Sequence, residues 1–190
     1  METTEDGVRN LYPCRAELNN PENDWDTSWK LANMRGLNPA EQEFLWKMLH
    51  NLLPTQARLF RLKMMNTPND RCNLCSLEET ADLTHTLVTC PFNSEVSVWL
   101  MQLLRLHVPL LQPSHVVLLH LGEVQESLHL PLVWLIANTL GLIWDHRKEK
   151  KKPTLHSVRS TLEARINILR KTRFNNAVTI LESLPNLIQL

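Results

Sequence analysis

The sequence predicts a mainly α-helical domain, and three observations carry that prediction. Only 4 glycines stand against 11 prolines in 190 residues. The chain is therefore poor in the residue that loosens helices and well supplied with the one that ends them. Apolar residues recur three and four apart over most of its length, the spacing of one helical face. Hydrophobic residues make up 43% and charged residues 21%, the proportions of a soluble, folded domain.

The elements follow in chain order. Residues 1–24 are polar, hold Pro13 and Pro21, and are expected to be a flexible N-terminal segment. Trp25 and Trp29 are four apart and share one helical face. Asn38-Pro39 starts a helix, with Asn as the cap, Pro at the first position, and Glu41 and Glu43 in the first turn, where the helix dipole favours acids. Phe44, Leu45, Met48, Leu49 and Leu52 give it an apolar face, and Pro54-Thr55 breaks it. A second helix carries Leu59, Leu62 and Met65 on its apolar side and Arg58, Arg61 and Lys63 elsewhere. Val96, Trp99, Leu100, Leu103, Leu104 and Leu106 mark another helix, with Pro109 and Pro113 ending that region. Val116 to Leu121 reads equally as a strand or a short buried helix, because its period is too short to decide.

Leu130 to Trp144 is nearly all apolar. It falls short of the roughly 20 residues needed to cross a bilayer and contains Pro131 and Asn138, so it is expected to be a buried helix running from Pro131 to about Arg147 and not a membrane segment. Pro153 interrupts the chain next. Thr154 to Arg173 is expected to be a long amphipathic helix with a stripe of Leu155, Val158, Leu162, Ile166 and Leu169. The expected division is 1–24 as flexible segment, 25–148 as helical domain and 149–190 as basic C-terminal helical segment.

The formal net charge is zero, but it is unevenly spread. Residues 147–173 contain ten Lys and Arg against two acids, Glu149 and Glu163. The ten are Arg147, Lys148, Lys150, Lys151, Lys152, Arg159, Arg165, Arg170, Lys171 and Arg173, and they are the candidate contacts to a phosphate backbone. A local basic segment binds polyanions whatever the total charge. The same run also fits a solvated helix face or a nuclear-import signal.

Three of the four cysteines fall within 19 residues. Cys72 and Cys75 are followed by His85 and Cys90, a C-x2-C then H-x4-C arrangement in a polar loop, residues 71–91, bounded by Pro68 and Pro91. A two-residue gap lets both sulfurs of a tight turn face one ion. The four-residue gap brings His85 and Cys90 about one helical turn apart or across a helix end. Zinc takes four N or S ligands in a tetrahedron, and this segment supplies four, leaving no position for water. One structural zinc is expected here, bound by Cys72, Cys75, His85 and Cys90, against the alternative of unliganded thiols. Three thiolates leave the site at minus one, and neighbouring Arg71 is the expected compensating charge. The spacing suits metal binding more than disulfides and hence a reducing, intracellular setting, nuclear or cytoplasmic. Cys14 is expected to be free. The predicted architecture is thus a small multi-helix domain with an inserted CCHC zinc knuckle and a long C-terminal amphipathic basic helix.

At these residues the sequence resembles a family. Phe44-Leu45-Trp46-Lys47, Asn51-Leu52-Leu53-Pro54-Thr55, Leu59, Cys72-x-x-Cys75, Glu79-Thr80, His85, Cys90-Pro91 and Trp99 resemble the zinc-binding C-terminal region of reverse transcriptases from non-LTR (LINE-type) retrotransposons. The resemblance covers residues 25–105, and Ile143-Trp144 followed by Arg147 resembles a looser helical pattern beyond it. It implies a region that follows the polymerase and contacts template RNA or target DNA. A polymerase needs paired aspartates for two magnesium ions. This chain has no Asp-Asp pair. No Pro-Asp dipeptide follows Cys90, as the nuclease of some members requires. The chain thus reads as the tail of such a protein without its catalytic part: a fragment, a degenerate reading frame or a domesticated remnant. The expected function is a non-enzymatic, nucleic-acid-binding accessory domain for RNA or single-stranded DNA. The alternative is a helical protein-interaction module that pairs through the apolar stripe of 154–173.

Overall fold

The computed structural model describes residues 25–64, 69–75, 77, 79–171 and 174–183, without the side chains of 175, 176 and 183. The expected flexible segment 1–24 with Cys14, and Met65, Pro68 and Arg173, lie outside the described residues. The described residues are mainly helical, with two isolated bridges and no strand.

Helix α1 (Trp25–Ala32) places Trp25 and Trp29 against the core, partly buried. Gly36 turns the chain at a φ of +113°, and a β-carbon there would come within 2.8 Å of Leu130. Both facts favour glycine at this position. Helix α2 (Pro39–Leu49) starts as its sequence requires. The Asn38 side chain accepts from the Glu41 N–H at 2.8 Å, and the Glu41 carboxylate accepts from the Asn38 N–H at 2.6 Å. This reciprocal cap satisfies two otherwise orphaned donors.

Thr55 does more than break α2. Its side chain caps the next helix, α3 (Gln56–Arg61), which is shorter than expected. Ala57 is its buried residue, whereas Leu62 is exposed. One turn and a half is too short to present a continuous apolar face, so the leucine spacing misidentified the inward side.

Helix α4 (Ser94–Arg105) buries Val96, Trp99, Leu100, Leu103 and Leu104 as expected, while Leu106 lies past its end and is exposed. Residues 113–118 form a helix, α5 (Pro113–Leu118), which begins at Pro113 and stops at Leu119 in the left-handed region, so 116–118 are helical and 119–121 lie beyond the helix. Pro113 is therefore a helix start and not a terminator, the first-turn role that a missing N–H permits.

Helix α6 (Glu126–Lys148) is the hub. It is 23 residues long and is long and apolar enough, by length and composition alone, to cross a membrane. Here it is packed on several sides, with Leu132, Val133, Trp134, Leu135, Ile136 and Leu140 fully or almost fully buried. It begins a turn before Pro131, which therefore lies inside the helix. The carbonyl four residues earlier belongs to exposed Ser127, so the hydrogen bond that proline cannot make is lost at the solvent-facing start of the helix and not in the core. Two backbone bonds close the helix, Lys150 N–H to Arg147 C=O at 3.0 Å and Lys151 N–H to His146 C=O at 2.8 Å, with Lys150 at a φ of +54°. This is the double-bonded C-terminal cap usually built on glycine.

Helix α7 (Leu155–Leu169) is capped by Thr154 and ends four residues before Arg173. Val158, Leu162, Ile166 and Leu169 are buried in the same core as α6, and Leu155 packs against it. Helix α8 (Asn175–Ser183) falls within the segment 149–190 expected to be helical, though no apolar face was assigned there, and adds Ala177, Val178 and Leu181 to the buried set. The main core runs from Leu31 in α1 to Leu181 in α8, and a second, small cluster gathers Cys72, Ala81 and Cys90.

Candidate metal centre

The small cluster is built by a loop, a hairpin-like bridge and a widened helical turn. Arg71 and Thr80 form an isolated antiparallel bridge. Cys72 N–H donates to Glu79 C=O at 3.1 Å, and Ala81 N–H donates to Asp70 C=O at 2.8 Å. These bonds return the chain beside Cys72 and leave Cys75 in the loop between. Asp82 then accepts from the His85 N–H at 2.7 Å and starts a short helical run.

That run is a π-helix over His85–Thr89, closed by a bond from Cys90 N–H to His85 C=O at 2.9 Å. Its width has a purpose. In an α-helix, residues five apart sit about 140° apart around the axis. A π turn and the extended backbone of Cys90, φ −66° and ψ 127°, instead let both side chains meet one point. Insertions of this kind concentrate at functional sites.

The ligand atoms of Cys72, Cys75, His85 and Cys90 all lie within 4.8 Å of one another. The sulfurs of Cys72 and Cys90 are 3.7 Å apart, and Cys75 Sγ is 3.5 Å from His85 Nε2. A tetrahedral zinc with Zn–S near 2.3 Å and Zn–N near 2.05 Å has edges of about 3.8 Å between sulfurs and about 3.6 Å from sulfur to nitrogen. The two spacings are the edges of such a tetrahedron, and need no thiol hydrogen bond to explain them. Cys72, His85 and Cys90 are buried. The donor set fits one structural zinc, with all four positions supplied by the protein.

Two residues outside the ligand set complete the centre. Glu79 Oε2 lies 2.9 Å from His85 Nδ1, so the carboxylate accepts from that nitrogen and leaves Nε2 free for the metal. Arg147, at the end of α6, donates from Nη2 to Cys72 Sγ at 3.4 Å and from Nη1 to Asn93 Oδ1 at 3.1 Å. Its guanidinium also lies 5.8 Å from the centroid of the Phe92 ring. Arg147 thus stands as a cation against the thiolates, the kind of role expected for Arg71. It also leaves the expected phosphate-contacting set, since it is buried and its bonds point inward. The sequence pattern held both residues, Glu79 within Glu79-Thr80 and Arg147 after Ile143-Trp144. Their roles were invisible because the contacts span 6 and 75 residues.

The thiols respond to these neighbours. Burial pushes the Cys72 thiol up, but a backbone hydrogen bond at Leu74 and the bonds from Arg147, His85 and Cys75 bring it down to about 6. Burial and the negative Cys72 and Cys90 push Cys75 up to about 11, against a backbone bond at Leu77.

Residues 7–99 match the protein-family model described as zinc-binding in reverse transcriptase. Over that span the chain is similar to a reverse-transcriptase-associated zinc-binding region. The match is to the zinc-binding region and not to a polymerase domain. No curated protein and no solved structure matches the chain significantly. The matched span ends inside α4, so the zinc-binding region and the helices after it share one core.

Among the described residues of the expected set, all those after Arg147 except Arg165 lie at the surface. Lys148, Lys150, Lys151 and Lys152 are exposed in the turn that ends α6. Lys148 pairs with Asp145 at 2.6 Å, and Lys151 with Glu149 at 2.7 Å. The hydrogen bond and charge of Lys151 hold the Glu149 carboxyl below its usual range and raise Lys151 in turn. Arg159 pairs with Glu163 one helical turn on, and Arg170 pairs with Glu182 of α8. Lys171 is exposed. Arg165 departs from the expectation as Arg147 does: it is 16% exposed and bound to buried Glu41. Trp99 is core, whereas Trp46 is exposed beside His50, ring centroids 4.7 Å apart.

Proposed function

We propose that the chain is a nucleic-acid-binding accessory domain of the non-LTR reverse-transcriptase kind, without polymerase chemistry of its own. The observation that supports this reading is the position of Lys148, Lys150, Lys151 and Lys152. They follow Arg147 directly, so the exposed lysines begin where the metal centre anchors α6. A metal bound by the four ligands has no open coordination position and serves folding, and Arg147 meets one of those ligands, Cys72, from the end of α6. The left-handed Lys150 turns the backbone sharply, and all four lysines are exposed.

The two ion pairs in this turn do not oppose the reading. Exposed pairs contribute at most about 1 kcal/mol, so a phosphate competes with Asp145 and Glu149 for these lysines. Such contacts position a strand without reading its sequence. RNA and single-stranded DNA are the proposed partners, in an intracellular setting, nuclear or cytoplasmic. The stripe of α7 is occupied by the chain's own core and lends no support to pairing with a partner helix.

Fluorescence anisotropy with labelled single-stranded RNA and DNA over a salt series tests the proposal. Four phosphate contacts give a slope of log affinity on log salt of roughly −3. Changing Lys150, Lys151 and Lys152 to Ala should bring that slope to about −1 and weaken all sequences alike. A zinc-loaded protein that binds neither strand at low salt overturns the reading.

A further inference from the structure

The metal centre contains a charge problem that its four ligands leave unsolved. Three thiolates and a neutral imidazole around a divalent zinc carry a net charge of minus one. Three of the four ligands are buried. An uncompensated buried charge is costly, and a buried cation is rarely tolerated without partners. Arg147 is 9% exposed and meets the sulfur of Cys72 at 3.4 Å. The two charges therefore answer each other.

The guanidinium is held in place from three sides. Nη1 donates to Asn93 Oδ1, and the Phe92 ring lies on one side. Asn93 is itself fully buried, with its amide nitrogen donating to Leu87 C=O at 3.0 Å. Leu87 belongs to the π turn that carries His85. Asn93 thus links the π turn to Arg147, and Arg147 links α6 to Cys72. The planar fork of arginine suits this double duty, since one nitrogen serves the amide and another the sulfur.

We propose that Arg147 is a positioning residue of the zinc centre: through its bond to Cys72 Sγ it offsets the excess negative charge, tunes that thiolate and fastens the knuckle to the end of α6. The inference concerns the metal centre alone and stands whether or not the lysines that follow bind nucleic acid.

Full-length Arg147→Met and Arg147→Lys proteins test it, with zinc affinity measured by chelator competition and cobalt as a spectroscopic replacement for zinc. Loss of an outer contact to a metal ligand lowers affinity by about 10- to 100-fold. Arg147→Met should fall in that range. Arg147→Lys keeps the charge and one donor, so it should lose clearly less. The sulfur-to-cobalt charge-transfer bands should move in the Met protein, because the sulfur of Cys72 has lost a cationic donor. Unchanged affinity and unchanged bands in both folded variants would overturn the proposal. Equal losses with unmoved bands would also overturn it, because they mark Arg147 as packing only. If the Met protein does not fold, the Lys protein decides: shifted bands with a modest loss of affinity support the role, and wild-type affinity with wild-type bands in the Lys protein ends it.

Discussion

Glu41 and Arg165, 124 residues apart in the chain, form a largely buried ion pair at 2.8 Å that ties the start of α2 to α7. The same carboxylate closes the cap at Asn38 and accepts from the Asn138 amide of α6 at 2.9 Å. One side chain therefore joins three helices. Its charge is tolerated inside because each oxygen has donors and one of them is a cation.

Replacing Glu41 by Ala should lower stability by about 3 kcal/mol or more, since it strands Arg165 and removes the carboxylate half of the reciprocal cap. Urea unfolding of the zinc-loaded protein measures this. A loss below about 1 kcal/mol would mean the pair is incidental.

Zinc removal should act locally. The three cysteine ligands belong to a small cluster apart from the main core of α1 to α8, although Leu87 and Val88 of the π turn reach that core. Chelation should leave most far-ultraviolet helicity in place and expose the amides of residues 69–90 to hydrogen exchange. The Cys72→Ser and Cys90→Ser proteins should behave like the chelated one and carry well under one zinc per chain. A global collapse of helicity on chelation would show that the knuckle and the core fold as one unit.

Glu79→Gln should weaken zinc binding by about tenfold, the lower end of the range for outer contacts. The lower end applies because the Glu79 side chain is 57% exposed. Chelator competition again reads the result, and wild-type affinity would remove Glu79 from the centre.

Lys150→Gly should raise stability by about 1 kcal/mol, because a residue with a β-carbon is strained at a φ of +54° and glycine is not. Thermal unfolding should show an increase of a few degrees. An unchanged or lower midpoint would mean that the lysine side chain contributes more than the strain costs.

Local information determined a good part of this protein by itself. The cap at Asn38, the apolar face of 96–104, the stripe of 155–169 and the four ligands at 72, 75, 85 and 90 all depend on neighbours a few residues away. Periodicity, capping chemistry and ligand spacing express such neighbours directly. Where the local pattern was short, as in 56–61 and 113–118, it did not determine which side faces inward, or even the element type.

Only the tertiary structure decided what the charges do. Ten basic residues in 27 positions read as one surface, yet Arg147 turns inward to a thiolate and Arg165 to Glu41. Their partners lie 75 and 124 residues away. No pattern along the chain records which acid or sulfur a long side chain will reach. That depends on which helices pack together, and burial then makes the pairing obligatory, because an unpaired charge in the core costs more than the fold can sustain.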